Sequence, residues 1–150
     1  MTNIILPFHP GHIAGLKPIR QADIDGLGGV DVETLANNYY KAGPGYSYFV
    51  GHQIIAVIGL LPIWHGVGEV WMLTTEHVID NVRFFHSSTL ALMEKTRIEL
   101  NLHRIQSTVH EGNTKAERWM NKLGFKLEGV HEMYGPDKSN HLRFARLWRD

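Results

Sequence analysis

The segment N-T-K-A-E-R-W-M-N-K-L-G-F, residues 113–125, decides the fold of this chain. Asn113 follows Gly112 and is a good residue to cap the start of a helix. Apolar side chains then recur at helical spacing, at Ala116, Trp119, Met120 and Leu123. Gly124 stands where a left-handed residue commonly ends a helix. The segment therefore predicts a short amphipathic helix followed by a strand.

The chain just before this segment predicts a strand, a long helix and a second strand. Residues 69–75 place Glu69, Trp71 and Leu73 on one face, with apolar residues also on the other face, which is typical of a strand buried on both sides. Residues 103–109 alternate as a strand does. Between these two strands, one helical stripe is formed by Phe85, Thr89, Leu92, Met93, Thr96 and Leu100.

The remaining elements lie toward the two ends of the chain. Residues 46–50 and 54–63 predict a hairpin, and Gly66 with Gly68 marks the turn after it. Residues 125–130 and 143–148 predict two final strands around a loop at 134–140. Before the hairpin, Ile19-Arg20 predicts a short strand that leads into a helix near Ala22-Asp23, and residues 32–40 predict another helix. This order predicts one α/β domain, residues 1–150, with a mixed, three-layer sheet.

The composition excludes several classes of function. The chain has 150 residues, 43% of them apolar, and a formal net charge of zero, so it lacks the basic field that gathers nucleic acid or an anionic membrane. The absence of cysteine excludes disulfides and thiolate nucleophiles. The pair His9 and His12, separated by proline and glycine, makes a poor zinc site, so no metal is expected. The apolar run at residues 4–6 lacks a basic stretch before it, and we expect a cytoplasmic protein.

The order of elements and several short segments resemble the GNAT superfamily of N-acetyltransferases. Residues 19–25 are similar to the opening strand and helix of that family, and residues 68–75 to its fourth strand. The strongest match is the pattern N-x-x-A followed by K-x-G-F, at Asn113, Ala116, Lys122, Gly124 and Phe125. The resemblance runs from Ile19 to Trp148.

This resemblance implies a GNAT-type α-β-α fold with a mostly antiparallel sheet and acetyl-coenzyme A as cosubstrate. The acetyl group would pass by direct attack to a primary amine of a small molecule or a protein. The family's pyrophosphate loop aligns with residues 83–88, where His86 and Ser88 replace its two glycines. Backbone groups of the fourth strand and of this loop would contact the cofactor. By resemblance, the cofactor-binding residues are Leu73, Thr74, Thr75, Arg83, Phe84, His86, Ser87, Ser88, Thr89, Asn113 and Ala116.

The catalytic candidates are Glu69 and Tyr134. A carboxylate on an otherwise apolar strand is expected to have an increased proton affinity, which suits a base that works through a water. Glu69 is equally interpreted as a solvated residue at the start of its strand, and His110 is an alternative base. The family often has a tyrosine that acts as general acid where this chain has Met120. Tyr134 in the late loop is the candidate for that role here. Asn113 is either a helix cap, a cofactor contact, or both.

A second interpretation is a GNAT-fold protein that has lost catalysis. The replaced glycines and Met120 favour it, and a similar loosened pattern is found in GNAT-like proteins of tailed bacteriophages, which would make this a virion-associated phage protein. An exposed apolar patch around Phe84 would favour such a binding or structural module. An open cleft between the fourth and fifth strands would favour the enzyme. The sequence leaves the oligomeric state open, with a homodimer as one option.

Overall fold

A computed structural model describes residues 2–150. Its centre is one seven-stranded sheet in the order β1-β2-β3-β4-β5-β7-β6, in which only the β4–β5 pair is parallel. The mixed, mostly antiparallel α/β architecture predicted from the sequence is confirmed. The strands are β1 (Asn3–Pro7), β2 (Gly45–Val50), β3 (Gln53–Trp64), β4 (Val67–Thr74), β5 (Arg104–His110), β6 (Lys126–His131) and β7 (His141–Leu147).

Five α-helices in the part of the chain that the structure describes cover the sheet. A short 3-10 helix, Pro10–Gly15, precedes them. The α-helices are α1 (Gln21–Asp25), α2 (Val32–Ala42), α3 (His77–Asp80), α4 (Val82–Glu99) and α5 (Thr114–Lys122). None of the helices in residues 2–150 is long and apolar enough to cross a membrane.

The segment that decided the fold adopts the predicted structure. Asn113 caps α5, where its side chain accepts a hydrogen bond from the backbone N–H of Ala116, and Gly124 ends the helix at a φ of 89°. Met120 and Leu123 are buried on the stripe that the spacing predicted. The periodicity of residues 113–125 was therefore sufficient to place this helix against the sheet.

The opening of the chain differs from the prediction. The first strand is β1, at residues 3–7, and Ile19-Arg20 forms no strand, because Arg20 is the residue that precedes α1. Gly68 also lies within β4 rather than in the turn before it. β1 escaped notice because it is an edge strand with both faces largely exposed, so its sequence lacks the alternation that marks a half-buried strand.

The segment aligned with the pyrophosphate loop is not a loop. Residues 83–88 lie in the first two turns of α4, which begins at Val82. None of them has a positive φ, so His86 and Ser88 occupy these positions without backbone strain. The family pattern has a loop with two glycines here, whereas this chain continues as a helix.

The two faces of β4 contribute to different clusters of apolar side chains. Trp71 and Leu73 pack with residues of α2 on one face. Val70 and Met72 pack with Phe85 and Trp119 on the other. β4 is therefore held between two helical layers, and it forms one wall of a cleft.

Candidate functional site

A cleft opens between β4 and β5 because the two strands pair over only three residues. The pairing joins Val67–Glu69 to Arg104–Gln106, and beyond it the strands diverge. The opening has two parts, a larger cleft of about 550 Å³ and a second cavity of about 130 Å³. Four residues line both parts and are called the waist here: Asp23, Met72, Ala116 and Trp119.

The rim of the larger cleft is rich in cationic side chains. It is lined by Arg20 from the start of α1 and by Lys115, Arg118 and Lys122 from α5. Glu76 forms ion pairs with Arg20 at 3.3 Å and with Lys115 at 3.5 Å. Within residues 2–150, Arg118 and Lys122 have no ion-pair partner. The rim therefore carries an excess of positive charge that suits phosphate groups.

The positive end of α4 lies at the same cleft. Val82, the first residue of this helix, lines the opening together with Ile79 of α3, and both side chains are more than half exposed. The first intrahelical hydrogen bond is donated by Phe85 to the carbonyl of Asn81. The amides of residues 82–84 thus have no acceptor within the helix, which leaves donors and a positive dipole at the cleft.

A buried polar network ties α1 to both walls of the cleft. Asp23, only 6% exposed, accepts bonds from the backbone N–H of Thr74 at 2.9 Å and from Asn113 Nδ2 at 3.1 Å. Arg20 donates to Asn113 Oδ1 at 3.4 Å and lies 3.8 Å from Asp23. Asn113 is therefore both the cap of α5 and a bridge across the diverging strands. The sequence of residues 19–25 predicts only an opening strand and helix, and no local pattern in it predicts this role of Arg20 and Asp23.

The register of β4 changes which backbone groups are free. Thr75 donates its N–H to Ile55 of β3 at 3.0 Å, and Leu73 stands opposite Val57. Because alternate residues of a strand point their hydrogen-bonding groups to opposite edges, Met72 and Thr74 face the cleft. The prediction that Leu73 and Thr75 offer free groups there is therefore wrong.

Only one of the two cleft-facing residues, Met72, has backbone groups that are free to bind a ligand. Asp23 already occupies the Thr74 N–H, and the N–H of Arg20 occupies the Thr74 carbonyl at 2.8 Å. The backbone pairing of β5 along β4 ends at Glu69, and the Ser107 hydroxyl of β5 donates to the Val70 carbonyl at 3.2 Å, so Met72 has no strand partner on this edge. Met72 is thus the residue that presents backbone groups at the waist, a position that the sequence argument did not single out.

The side chains of the predicted residues of α4 lie outside the lining of both parts of the cleft. Arg83 and Ser87 are exposed, and Ser87 Oγ donates to the Arg83 carbonyl at 2.7 Å. Phe84 is half-buried against Tyr48, with ring centroids 5.9 Å apart, so it forms no exposed apolar patch. Thr89 is buried and shares a 2.7 Å hydrogen bond with the Tyr48 hydroxyl. Ser88 lies on the same helix and outside the lining of both parts of the cleft.

Glu69 lines the second cavity but is not isolated there. Its Oε1 accepts from Arg143 Nη1 at 2.9 Å and from Gln106 Nε2 at 3.0 Å. The apolar surroundings assumed from the strand pattern are wrong, because Arg143 comes from β7, far along the chain. The paired carboxylate is fixed in place, while Oε2 takes part in neither bond.

Tyr39 is the tyrosine that reaches this cavity. Burial and the nearby charge of Glu69 raise the pKa of its hydroxyl above the ordinary value, so it stays protonated at neutral pH. Of the neighbouring tyrosines, Tyr48 is buried in the core, and Tyr40 and Tyr46 lie outside the lining of this cavity. Periodicity placed Tyr39 on a helix, and only the packing of α2 brings it to Glu69.

His110 lines the second cavity, and its tautomer determines which ring nitrogen could accept a proton. Its Nδ1 accepts a hydrogen bond from the backbone N–H of Gly112 at 3.0 Å. In the neutral ring the proton is therefore on Nε2, which can donate but not accept. Tyr134 is 58% exposed and packs edge-on against His141 and His131, outside the lining of the cleft.

Comparisons with solved structures match this architecture over nearly the whole chain. Ard1 from Thermoplasma volcanium superposes with a TM-score of 0.78 at 18% identity, covering 100% of both chains. An acetyltransferase of the GNAT family from Bacillus anthracis gives 0.72 at 18% identity over 98% of this chain and 95% of that one. The chain has the GNAT fold.

A third match to the GNAT fold is a chimera of the spermidine N-acetyltransferase SpeG from Vibrio cholerae and hSSAT. It gives a TM-score of 0.74 at 17% identity and covers 98% of this chain and 96% of that one. No protein-family model matches the sequence, and no curated protein matches it. The likeness is therefore one of fold. It includes residues 2–18, which lie outside the predicted range of the resemblance.

Proposed function

We propose that this protein is an N-acetyltransferase that transfers an acetyl group from acetyl-coenzyme A to a primary amine. The observation that carries the proposal is the two-part cleft, in which Met72 presents free backbone groups at the point where both parts meet. A donor and an acceptor that enter from opposite ends would meet at this waist. Holding two reactants in that arrangement supplies much of the catalysis of a group transfer.

The larger cleft fits the phosphate-bearing end of the cosubstrate. Lys115, Arg118 and Lys122 offer charged contacts, and the first amides of α4 offer backbone donors. Bound acetyl-coenzyme A supplies an acyl carbon activated as a thioester, which an amine attacks as the carbon–sulfur bond breaks and the thiolate leaves. The Met72 N–H is the protein donor placed to stabilise the oxygen of that carbonyl.

The second cavity fits the amine. Glu69, fixed by Arg143, would accept the ammonium proton through a water at its remaining oxygen, Oε2. The Tyr39 hydroxyl, protonated at neutral pH, is a proton donor in the same cavity. Tyr134 stays a prediction for that role, and its exposed position outside the cleft makes Tyr39 the better candidate. The absence of cysteine excludes a thiolate intermediate, and the amine attacks the thioester directly in this proposal.

The charges of the second cavity favour a small monoamine over a polyamine. Glu69 is already paired with Arg143, and Asp23 with Arg20 and Asn113. A polycation such as spermidine, the substrate named for one structural match, would find these carboxylates engaged. Aromatic and apolar side chains, including Tyr39, Trp71 and Leu27, line the rest of the cavity.

The second candidate function is a GNAT-fold binding or structural module without catalysis, such as a phage virion component. Three observations favour it. Residues 83–88 are helical where a phosphate-wrapping loop is expected, and Asp23 occupies the Thr74 N–H that would otherwise be open to a ligand. Met120, buried in the core, also leaves no acid at the tyrosine position of the family pattern.

Thermal unfolding with and without acetyl-coenzyme A separates the two functions, with coenzyme A and ATP as comparison ligands. Ligand at about a hundred times its Kd stabilises a protein by roughly 2.7 kcal/mol, so binding gives a clear rise in Tm. We expect such a rise for both coenzyme A ligands and a smaller one for ATP. The double variant Lys115→Ala, Arg118→Ala should lose most of it, whereas Lys126→Ala, an exposed lysine on edge strand β6, should keep it. No shift at millimolar ligand would favour the binding module.

A further inference from the structure

Trp119 is held in a single position at the waist by two contacts. Its indole stacks on Phe85, with ring centroids 4.3 Å apart and an angle of 20° between the planes. Its Nε1 donates to Nδ1 of His86 at 3.2 Å. The two contacts come from neighbouring residues of α4, so the indole bridges α4 and α5 beside the cleft. A side chain held both by stacking and by a directional bond has little freedom to rotate.

The other residues of the waist allow little widening. Asp23 is fixed by the buried network with Thr74 and Asn113. Ala116 is in the first turn of α5, where its N–H is bonded to the cap residue Asn113. Met72 alone has a long and flexible side chain. The passage between the two parts of the cleft therefore has three rigid sides, and Trp119 is the bulkiest of them.

We propose that Trp119 determines the size of the acyl group that the protein accepts. The inference rests on the proposed function, because it concerns the acyl chain of the coenzyme A thioester at the waist. With the indole in place, an acetyl group fits beside Met72, and a longer chain meets the edge of the ring. Trp119 acts by exclusion and takes no part in proton transfer.

The same geometry gives His86 a role that the sequence argument did not foresee. His86 was expected to contact pyrophosphate, but its Nδ1 faces α5 and accepts from Trp119. In the neutral ring the proton is consequently on Nε2. His86 is thus a positioning residue for Trp119, and its removal would let the indole rotate without emptying its place.

The test measures the binding of acetyl-coenzyme A, butyryl-coenzyme A and free coenzyme A by titration calorimetry, which needs no known acceptor. A methylene that does not fit a pocket changes affinity by about tenfold or more, so the wild type should prefer the acetyl thioester by at least about tenfold. Trp119→Leu removes the bulk that excludes a longer acyl chain, so the preference should fall to about threefold or less. His86→Ala should give an intermediate preference. Trp64→Leu, which changes a tryptophan that is 72% exposed on β3, is the matched control and should behave as wild type.

The outcomes separate this inference from the proposed function. If the wild type binds none of the three ligands, both fail. If it binds free coenzyme A and both thioesters alike, or if a folded Trp119→Leu keeps the full preference, the role of Trp119 is wrong and the proposed function stands. Should Trp119→Leu not fold, Trp119→Phe keeps a ring on Phe85 while it removes bulk and the bond to His86. It must then weaken the preference for the acetyl thioester, or the inference is overturned.

Discussion

Asp23 Oδ2 accepts a 2.9 Å hydrogen bond from the backbone N–H of Thr74, a residue 51 positions further along the chain. The bond occupies the edge of β4 at the point where β5 has moved away. It is the contact through which a five-residue helix, α1, is fixed to the walls of the cleft.

Asp23→Ala should lower the free energy of unfolding by about 3 kcal/mol, because it leaves the Thr74 N–H and Asn113 Nδ2 without their acceptor, and each buried unsatisfied group costs about 1–3 kcal/mol. Arg20, only 12% exposed, loses one carboxylate neighbour and keeps Glu76. Urea denaturation measures the change. Asp25→Ala is the control, since Asp25 is an exposed carboxylate of the same helix that bonds only Gln21. Equal losses in the two variants would contradict a structural role for Asp23.

Glu69→Gln should reduce kcat by about a hundredfold if Glu69 is the base, because general base catalysis contributes at least that much. The assay uses an amine acceptor found by screening. Glu128→Gln is a close control: Glu128 pairs with Arg104 at 2.6 Å and its shifted pKa, lowered mainly by that bond, marks it as an equally engaged carboxylate. Glu128 lies outside the cleft, and its variant should keep full activity. Similar losses in both variants would point to the ion pairs and not to proton transfer.

Gly59→Ala should destabilise the protein by about 1–3 kcal/mol, the range for overfilling a packed core. A Cβ at this position would lie 2.5 Å from the indole of Trp71, which packs against Tyr39 with centroids 4.6 Å apart and an angle of 33° between the planes. Gly129→Ala is the control, because a Cβ there meets no atom within 4 Å. Thermal unfolding compares them. The prediction fails if the two variants melt together.

His141 should make the folded state less stable in acid. Burial, and then the nearby His110, hold the pKa of this imidazole below its ordinary value of 6.5. The unfolded chain therefore takes up a proton at higher pH than the folded chain, and stability falls as the pH drops below about 6.5. His141→Asn should flatten this part of the profile of unfolding free energy against pH. His52→Asn, in the exposed turn between β2 and β3, should leave the slope unchanged.

Local patterns in the sequence were enough to predict most of the helices and most of the sheet, while the four-residue helix α3 was not predicted. The spacing of residues 113–125 specifies α5 with its cap and its terminal glycine, and alternation specifies β4 and β5. β1 was missed because an exposed edge strand has no alternation to detect. Residues 83–88 were misassigned because a family pattern took precedence over helical periodicity, which already placed Phe85 and Thr89 on the stripe of α4.

The site was harder to predict because its partners are distant in sequence. Glu69 meets Arg143 across 74 positions, and Asp23 meets Asn113 across 90. No local signal reports such pairs. The residue type at one position suggests chemistry, while the residue brought opposite by the fold decides whether a carboxylate is isolated or paired. Glu69 could be named as a candidate base from the sequence, whereas its pairing with Arg143 and Gln106 could not be predicted.

The three-residue pairing of β4 with β5 divides the sheet into strands β1–β4 and strands β5, β7 and β6. Backbone amides protected by hydrogen bonds inside each part depend on different neighbours, and few ladder bonds cross between them. Local opening in proteins follows such cooperative units. Native-state hydrogen exchange should therefore resolve two groups of amides with separate protection levels, and a ligand that bridges the waist should bring the two levels together.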